Sequence, residues 1–347
     1  MAVRLKDIAD DLGVSMVTVS KVLRDHPDVG AKTRERVLKR VREMNYRPNR
    51  AARSLVTGQT FNVGLVVPDL VHCFFAEIAK GATPVLRAKD YNLLISSSEE
   101  EPALERHETE QLIAGGVDVI LIASAQSGSA DFFRRLESHG TAYVLIDREI
   151  TGLAANFVGV DDEAVGLLAT RHLIEMGYQR IAHIGGLGVS TADGRLAGYR
   201  RALAGAGIPF DPNLVVRRMQ VDRVAEESGY QAMQSIIAMN PRPDAVFCFN
   251  DPMAIGAMKA IFEAGLQIPQ DIAVAGAGNT PYTDFLRVPL TTVDQASLEI
   301  GAKAAELALA LVGRQKVGRQ KSAAPCPPKR VLLEPKLIVR ESTLRLR

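Results

Sequence analysis

The chain of 347 residues is poor in cysteine and in aromatic side chains: it has three Cys, no Trp and 5% aromatic residues in all. Cys73, Cys248 and Cys326 are odd in number and none stands in a Cys-x-x-Cys pair. This argues against a disulfide scaffold and a zinc site, and it suits a reducing compartment. Cys248 lies in an apolar run, so we expect it in the core rather than as a reactive thiol.

Long apolar runs are also missing. No stretch approaches the roughly 20 residues needed to span a membrane, and the first seven residues lack the apolar segment of a signal peptide. We therefore expect a cytoplasmic protein without membrane contact.

Catalytic patterns are absent as well. Five of the six histidines lie scattered after residue 60, without Ser or Cys partners in a nucleophile motif: His72, His107, His139, His172 and His183. No metal-ligand spacing occurs, and no glycine-rich loop ends in Gly-Lys-Ser/Thr. We expect a non-enzymatic protein with no cofactor and no metal.

The charge is unevenly distributed. Residues 1–60 carry thirteen Lys/Arg against seven Asp/Glu, a net charge of +6, whereas the remainder carries 29 against 33, a net charge of −4. A small basic unit attached to a larger acidic one indicates that only the small unit meets a polyanion.

The basic unit begins with two short helical patterns. Apolar residues at 5, 8, 9 and 12 have helical spacing, Gly13 suits the left-handed residue that ends a helix, and Ser15 suits an N-cap. A second helix over 16–23 would bury Val19, Val22 and Leu23. Two short helices joined by a tight turn make a helix-turn-helix.

The second helix leaves five side chains outside: Met16, Val17, Thr18, Ser20 and Lys21. In a DNA major groove, the methyl groups of Met16 and Val17 can contact thymine methyls. Thr18, Ser20 and Lys21 can hydrogen-bond phosphates or base edges.

A third helix is predicted over 31–44, with an apolar stripe of Val37, Leu38, Val41 and Met44 and a basic opposite face. That face either binds phosphates or is a solvated face with ion pairs four residues apart.

Residues 46–58 then form a short segment in which Pro48 stops the third helix, Asn49 can cap a new one and Gly58 ends it. So short a helix is not stable alone. Leu55, with three arginines nearby, has the pattern of an apolar wedge inserted into a minor groove. The alternative is a plain linker.

From residue 61 onward, short apolar runs alternate with amphipathic helices. Strands are predicted at 63–67, 92–96, 119–123, 143–146, 157–160, 181–184, 215–217, 245–248 and 272–275, with helices at 77–89, 103–114, 164–176 and 225–239 among them. This alternation predicts an α/β fold with parallel sheets covered on both faces. The number of units favours two doubly wound sheets, that is, two lobes with a ligand cleft between them.

Polar side chains follow many of these strands: Asp69, Ser124, Asp147-Arg148, Asp161 and Asn250-Asp251, with Arg195 opening a helical run. Each carboxylate alone could be an N-cap of the next helix. Several of them in one cleft would bind the hydroxyl or amine groups of a small polar molecule.

Two further segments carry alternatives. Gly276-Ala277-Gly278 could be a dinucleotide-binding loop, but Pro281 stands at the third glycine position of that motif. Residues 313–322 are basic and polar and are predicted to form a mobile loop before a last strand pair at 331–333 and 337–339. The alternative for this segment is a second contact with DNA.

The first sixty residues closely resemble the headpiece and hinge of the lactose-repressor (LacI/GalR) family, and the resemblance extends more loosely to the C-terminus. The matching pieces are Asp7-Ile8-Ala9, Gly13-Val14-Ser15, Thr18-Val19-Ser20, Ala31-Lys32-Thr33-Arg34, Asn45-Tyr46-Arg47-Pro48-Asn49 and Ala52-x-x-Leu55. The resemblance implies a helix-turn-helix headpiece at 1–46, a hinge helix at 47–60 and a core at 61–347 like a periplasmic binding protein. Chain crossovers are expected near 160, 291 and 323, giving an N-lobe of about 61–160 and 292–322 and a C-lobe of about 161–291 and 323–347.

The resemblance also implies site residues. Met16, Val17 and Lys21 would read bases. The phosphate-contacting positions would be Ser15, Thr18, Ser20 and Thr33, and the minor-groove hinge would use Asn49, Ala52 and Leu55. The effector positions would be Phe75, Asp147, Asp161, Arg195 and Asn250, and Ser124 is added to them from its place at a strand end. Gly278 departs from an acidic position of many members, so Asn279 would take over or the ligand is not a typical free hexose.

The function expected from residues and resemblance is that of a repressor. A homodimer would bind a pseudo-palindromic double-stranded operator, and a small polar ligand, a sugar or sugar derivative, would control its affinity. Nothing like a leucine-heptad tetramerisation helix follows Thr343. The rivals are a solute-binding protein that serves a transporter and an enzyme of the doubly wound class. Induction, corepression and additional activation all remain open.

The wedge hypothesis yields a direct prediction. Leu55→Ala should weaken operator binding about tenfold or more, because the inserted side chain holds the DNA kink that brings the rest of the interface into contact. Equilibrium binding to an operator fragment at fixed salt measures it. Full operator affinity in the variant would contradict the wedge.

Overall fold

The structure is a computed structural model that describes residues 3–23, 26–46, 54, 57–126, 130–318 and 327–345, with the backbone alone at 314–318. It divides into two compact units, residues 1–60 and residues 61–347. Each unit is described by itself.

Three helices form the first unit: α1 Leu5–Leu12, α2 Met16–Leu23 and α3 Ala31–Glu43. Gly13 ends α1 in the left-handed conformation, at φ +62°, as predicted. Ser15 caps α2 as predicted, because its Oγ accepts a hydrogen bond of 3.0 Å from the Thr18 N–H. The fully buried centre of the unit is Ile8, Ala9, Val19, Val22 and Val37.

The prediction that Leu38 belongs to the buried stripe of α3 is wrong. Leu38 is 39% exposed, whereas Val37 is buried and Val41 and Met44 pack against the same cluster. Because successive residues of a helix are about 100° apart, Leu38 is carried off the inward face that Val37 occupies.

Two six-stranded sheets form the second unit. The first lobe contains the sheet β11-β5-β4-β3-β1-β2 and the second lobe the sheet β12-β10-β9-β8-β6-β7. Pairing is parallel throughout the described strands apart from β10 with β12. The strands are β1 Asn62–Val67, β2 Asn92–Ser97, β3 Val119–Ile122, β4 Tyr143–Ile146, β5 Phe157–Val160, β6 Ile181–Gly186, β7 Val215–Arg218, β8 Ala245–Cys248, β9 Ala273–Ala277, β10 Thr291–Asp294, β11 Arg330–Leu333 and β12 Lys336–Ile338.

Helices cover both faces of each sheet, as the near-continuous apolar strands predict. They are α4 Cys73–Arg87, α5 Pro102–Ala114, α6 Asp131–Ser138, α7 Asp162–Glu175, α8 Ser190–Gly205, α9 Ala225–Ile237, α10 Asp251–Glu263 and α11 Ser297–Gly318. In β3, Val119 and Leu121 pack on one face while Ile120 and Ile122 pack on the other.

Strand β10 was missed, because three of its four residues are polar by type. Thr291 and Thr292 are nevertheless fully buried. Their hydroxyls are hydrogen-bonded within the fold: Thr291 Oγ1 donates to the Arg340 carbonyl at 2.9 Å, and Thr292 Oγ1 donates to Asp251 at 2.5 Å. Buried threonines of this kind carry no apolar signal in a sequence.

The end of the chain also differs from expectation. Strands β11 and β12 do not pair with each other: β11 lies beside β5 in the first lobe, and β12 lies beside β10 in the second. The chain therefore makes its last crossing between residues 333 and 336, not near 323. Residues 313–318, predicted as a loop, continue α11.

Cys248 is fully buried in the second lobe and burial raises the pKa of its thiol, so it is a core residue as predicted. Cys326 lies outside the described residues. In the part of the chain that the structure describes, no helix has the length and apolarity needed to cross a bilayer.

In three helix pairs, a glycine of each helix lies directly against the backbone of the partner helix: α4 with α11, α7 with α8, and α9 with α10. In each pair, a Cβ placed on either glycine would lie 1.8–2.0 Å from a carbonyl oxygen of the partner helix, and the residues are Gly81 with Gly301, Gly166 with Gly198, and Gly229 with Gly256. A carbonyl cannot move aside as a side chain can, so a methyl group must push the helices apart.

We predict that Gly166→Ala and Gly198→Ala each lower the free energy of unfolding by about 3 kcal/mol, the upper part of the range for overpacking. Chemical denaturation measures the effect. Gly205→Ala is the matched control, because Gly205 lies on the same helix as Gly198 with no atom near its Cβ position, and alanine should be neutral or stabilising there. Equal losses in all three variants would contradict the close-contact account.

His183 lies inside the second lobe, between the rings of Tyr199 and Phe247, with centroid distances of 5.3 and 4.9 Å. Its Nδ1 lies 2.9 Å from the Phe247 carbonyl oxygen, and its Nε2 has no hydrogen-bond partner in the described part of the chain. Burial lowers the pKa of His183 to about 4, although the Phe247 carbonyl opposes the shift. The folded protein therefore holds a neutral imidazole.

The lowered pKa of His183 makes the free energy of unfolding depend on pH. Between pH 6.5 and 4 the unfolded chain binds a proton at residue 183 that the folded chain does not, so stability falls as the pH falls through this window. The contribution is at most about 3 kcal/mol. His183→Phe and His183→Gln, which cannot bind that proton, should both lose stability less steeply than the wild type in urea unfolding from pH 7.5 to 4.5. Profiles parallel to the wild type would contradict this role.

Candidate functional sites

The outer face of α2 is the candidate nucleic-acid surface. Met16 is 52% exposed and Val17 is 62% exposed, so two apolar side chains lie in solvent at the start of a helix that buries Val19 and Val22 beneath them. The structure therefore exposes two of the side chains that the sequence placed outside, whereas Thr18, Ser20 and Lys21 are half-buried.

The polar residues of this surface are partly engaged within the unit. Ser15 Oγ lies 2.9 Å from Thr18 Oγ1, and the Lys21 ammonium forms an ion pair with Asp28. The Lys21 hydrogen bond is the main reason that the pKa of Asp28 is lowered. Ser20 and Thr33 are half-buried.

The basic face of α3 divides between the two alternatives drawn from the sequence. Arg40 makes a bidentate ion pair with Asp11, with Nε–Oδ2 and Nη2–Oδ1 distances of 2.6 Å, and this pair tethers α3 to α1. Arg36 donates to the Leu12 carbonyl at 3.3 Å. These two arginines serve the unit itself, whereas Lys32 and Lys39 are exposed. Asn49, Ala52 and Leu55 lie outside the described residues, so their hinge roles stay predictions.

In the second unit, buried polar residues gather where the carboxyl ends of the two sheets meet. Hydrogen bonds join the lobes directly: Asn250 Nδ2 lies 3.3 Å from His72 Nε2, and the Glu149 N–H donates to Ser190 Oγ at 2.8 Å. The sequence-predicted members in this region are Ser124, Asp147, Arg148, Arg195 and Asn250, all at most 6% exposed. This is the place where ligands bind in doubly wound folds.

Asp147 has the most unusual environment of these residues. It follows β4 in the left-handed conformation at φ +62°, it is 6% exposed, and no described residue donates a hydrogen bond to its carboxylate. Its nearest cation is Arg148, at an Nε–Oδ2 distance of 3.8 Å, and Arg148 Nε also lacks a hydrogen-bond partner among the described residues. Burial raises the pKa of Asp147 to about 6, against the pull of Arg148 and Arg195. Within the described residues, an acceptor without a donor therefore lies beside a donor without an acceptor.

Arg195 is fully engaged. Its Nε donates to Asp162 at 2.9 Å, its Nη1 to the Phe249 carbonyl at 2.6 Å and its Nη2 to Gln295 at 2.7 Å. The guanidinium also stacks on the Phe249 ring, 4.3 Å from the centroid. Burial raises the pKa of Asp162 to about 7, although the Arg195 charge opposes it.

Two predicted effector residues, Asp161 and Asn279, lie apart from this cluster, and a third, Phe75, borders it. Asp161 is exposed and caps α7, because its Oδ1 accepts from the Ala164 N–H at 3.0 Å; the carboxylate beside Arg195 is that of the next residue. Asn279 donates to Asp294 at 3.1 Å and accepts from Arg340 at 2.9 Å. Phe75 is buried with Phe74 in the core of the first lobe, and its ring centroid lies 5.5 Å from that of His72, at the edge of the cluster.

Four members of the cluster were missed: His72, Glu100, Asp162 and Asp222. The run Glu99-Glu100-Glu101 after β2 and the doubled Asp161-Asp162 were visible signals. Asp222 gave none, because it follows β7 only after an irregular segment.

The Gly276-Ala277-Gly278 segment is not a dinucleotide loop. Residues 278–290 form turns that lead to β10, so no helix follows β9. The glycines make room for Asp251, since a Cβ on Gly276 would lie 2.4 Å from Asp251 Oδ1. That buried carboxylate accepts from the Thr280 N–H at 2.9 Å.

Comparison with known proteins gives a consistent result. The family model for bacterial regulatory proteins of the lacI family matches residues 4–49, and the model for a periplasmic binding protein-like domain matches residues 170–343. The HTH-type transcriptional repressor PurR of Haemophilus influenzae (strain PittEE) is 32% identical over 342 residues, which cover 97% of this chain and 98% of that protein. The ribose operon repressor of Haemophilus influenzae Rd is 33% identical over 346 residues, 99% of each chain.

Solved structures agree. The lac repressor dimer bound to operator and the anti-inducer ONPF has a TM-score of 0.83 at 27% identity, over 99% of this chain and 100% of that one. The complex of the transcriptional regulator CelR with cellobiose has a TM-score of 0.72 at 28% identity, over 98% and 99% of the two chains. The chain belongs to the LacI family of bacterial regulatory proteins, a family of helix-turn-helix transcriptional regulators.

Proposed function

We propose that this protein is a transcriptional repressor whose operator affinity is controlled by a small polar ligand bound between the two lobes. The proposal is carried by the occurrence of two features in one chain. A helix-turn-helix exposes Met16 and Val17, and a two-lobed unit buries, where its sheets meet, the carboxylate of Asp147, to which no described residue donates a hydrogen bond.

On DNA, α2 enters the major groove. Met16, Val17 and Lys21 contact bases, while Ser15, Thr18, Ser20 and Thr33 contact phosphates. Asn49, Ala52 and Leu55 form the minor-groove hinge. A homodimer presents two such surfaces to a pseudo-palindromic operator, an assembly supported by the similarity to the operator-bound lac repressor dimer.

In the cleft, one ligand hydroxyl satisfies both unpaired groups, because it donates to Asp147 and accepts from Arg148 Nε. Sugars and their derivatives offer such hydroxyls, and the similarity to a cellobiose-bound regulator supports this class. Ser124, Arg195 and Asn250 surround the position, with Phe75 behind it. Asp161 and Asn279 contact the ligand only if the cleft opens or rearranges.

Each part of the chain is assigned its own role. Residues 1–46 are the headpiece, 47–60 the hinge, and 61–347 the effector-binding and dimerisation core. The N-lobe is built on residues of about 61–160, the C-lobe on about 161–291, and both are completed by the C-terminal segments. The protein works in the cytoplasm and binds its ligand without converting it.

The first test is binding of the purified protein to DNA from its own upstream region at fixed salt. A panel of sugars, sugar acids and nucleobases is then titrated into the complex. Specific binding that one compound weakens or strengthens supports the proposal and gives the sign of control. Ligand binding without DNA binding would favour a solute-binding protein, and a ligand recovered chemically altered would favour an enzyme.

Asp147→Asn should then reduce the apparent affinity for the compound found by about ten- to a hundredfold, the effect of losing a hydrogen bond to a charged group. Operator affinity without the compound should stay within twofold of the wild type. Asp131→Asn, at an exposed position on α6, is the control. If Asp147→Asn responds to the compound like the wild type, the ligand does not bind at this carboxylate.

A further inference from the structure

The Arg148 side chain bridges the two lobes. Its guanidinium is 2% exposed. On the first lobe its Nη1 donates to the Ser124 carbonyl at 3.3 Å and its Nη2 to Glu100 at 3.2 Å. The same Nη2 forms a hydrogen-bonded ion pair with Asp222 of the second lobe. One side chain therefore binds both lobes through charged groups that are almost entirely buried.

Glu100 reinforces this bridge. Its backbone is left-handed at φ +55°, and its carboxylate reaches across to the second lobe. It accepts hydrogen bonds from the backbone N–H groups of Val221, Asp222 and Arg223 at 3.4, 3.2 and 3.1 Å. Three amide donors of the second lobe thus find their acceptor on the first.

Further pairs surround this centre. At the rim, Arg223 forms ion pairs of 3.3 Å with Glu99 and with Glu101. On the inner side, His72 Nε2 lies 3.5 Å from Asp222 Oδ1. From the Arg148 Nη groups outward to Arg223, these contacts between the lobes form without any other molecule, and Arg148 Nε alone is left without a hydrogen-bond partner among the described residues.

In two-lobed binding proteins the polar groups that close the cleft normally come from the ligand. Here the protein supplies an equivalent group. Ser124 and Glu100 lie on the same lobe as Arg148, whereas Asp222 reaches the guanidinium only when the lobes are closed. Closure therefore adds a second carboxylate to a cation that it also buries, and an underpaired buried charge is strongly disfavoured.

We propose that Arg148 is a built-in ligand whose guanidinium, held between Glu100 and Asp222, keeps the two lobes closed when no effector is bound. An effector then acts on lobes that are already closed. To open them it must bind the open arrangement more tightly than the closed one. A ligand that replaces Arg148 must itself bring a cation to the two carboxylates.

The proposal is tested on the full-length protein without effector or DNA. Hydrogen exchange of the amides of residues 221–223 reports closure directly, because their acceptor lies on the other lobe, and small-angle scattering reports the radius of gyration. In the wild type these amides should be protected. Arg148→Met keeps the length of the side chain, removes its charge, and should speed their exchange at least tenfold with a larger radius of gyration.

Two variants complete the design. Arg217→Met is the matched control, since Arg217 pairs with Asp193 at 2.7 Å within the second lobe, and it should leave the amides of 221–223 protected. Asp222→Asn keeps the volume of the side chain and the arginine but removes the cross-lobe charge. Asp222→Asn should open the lobes as Arg148→Met does. It also keeps the proposal testable if Arg148→Met does not fold.

Chemical rescue isolates the cation. In Arg148→Ala, millimolar methylguanidinium should restore slow exchange at 221–223, while the same concentration of sodium chloride should not. Fast exchange of these amides in the wild type, or protection unchanged in both Arg148→Met and Asp222→Asn, would overturn the proposal. None of these measurements uses operator DNA, so a failure of this proposal can be distinguished from a failure of the proposed repressor function.

Discussion

The backbone contact between paired helices is the constraint on which the second unit depends. Gly166 and Gly198 let α7 and α8 cross with carbonyl groups against Cα atoms, and the same arrangement recurs in α4 with α11 and in α9 with α10. The crossing also sets the site. Gly166 abuts the Arg195 carbonyl, and a Cβ on Gly194 would lie 2.7 Å from the Asp162 side chain. The distance between Asp162 and Arg195 is thus fixed by the absence of side chains around them.

The charged cluster between the lobes is built on this rigid base. Asp162, Arg195 and Asn250 lie on or at the start of packed helices of the second lobe, whereas Glu100 and Asp147 lie on left-handed residues of loops in the first. The second lobe presents a fixed half-site, and the first presents carboxylates whose direction is set by local backbone geometry. Buried polar groups of this kind are selective because any partner must satisfy all of them at once.

Much of this architecture could be predicted from the sequence. The strands β4, β5 and β8 were predicted to the residue because aliphatic side chains buried on both faces leave an uninterrupted signal. β10 was missed because Thr291 and Thr292 satisfy their hydroxyls inside the protein. At the site, Asp147 and Asn250 were found from their places at strand ends. Arg195 was expected to open a helix, but it lies inside α8, which begins five residues earlier at Ser190. Asp222 could not be found, because its importance depends on Arg148, which is 74 residues away in the chain and becomes a neighbour only when the two sheets meet.

The ion pair between Lys21 and Asp28 gives the headpiece an internal counter-ion. In the proposed complex the lysine must exchange this carboxylate for an acceptor on DNA, and Asp28 then keeps only His26, whose Nδ1 lies 2.6 Å from its Oδ1. A random DNA site offers only its backbone in return, whereas the operator also offers base edges. Exchanging Asp28 for a DNA acceptor therefore weakens non-specific DNA binding more than operator binding. It shortens the time that the protein spends on non-operator sequences during its search.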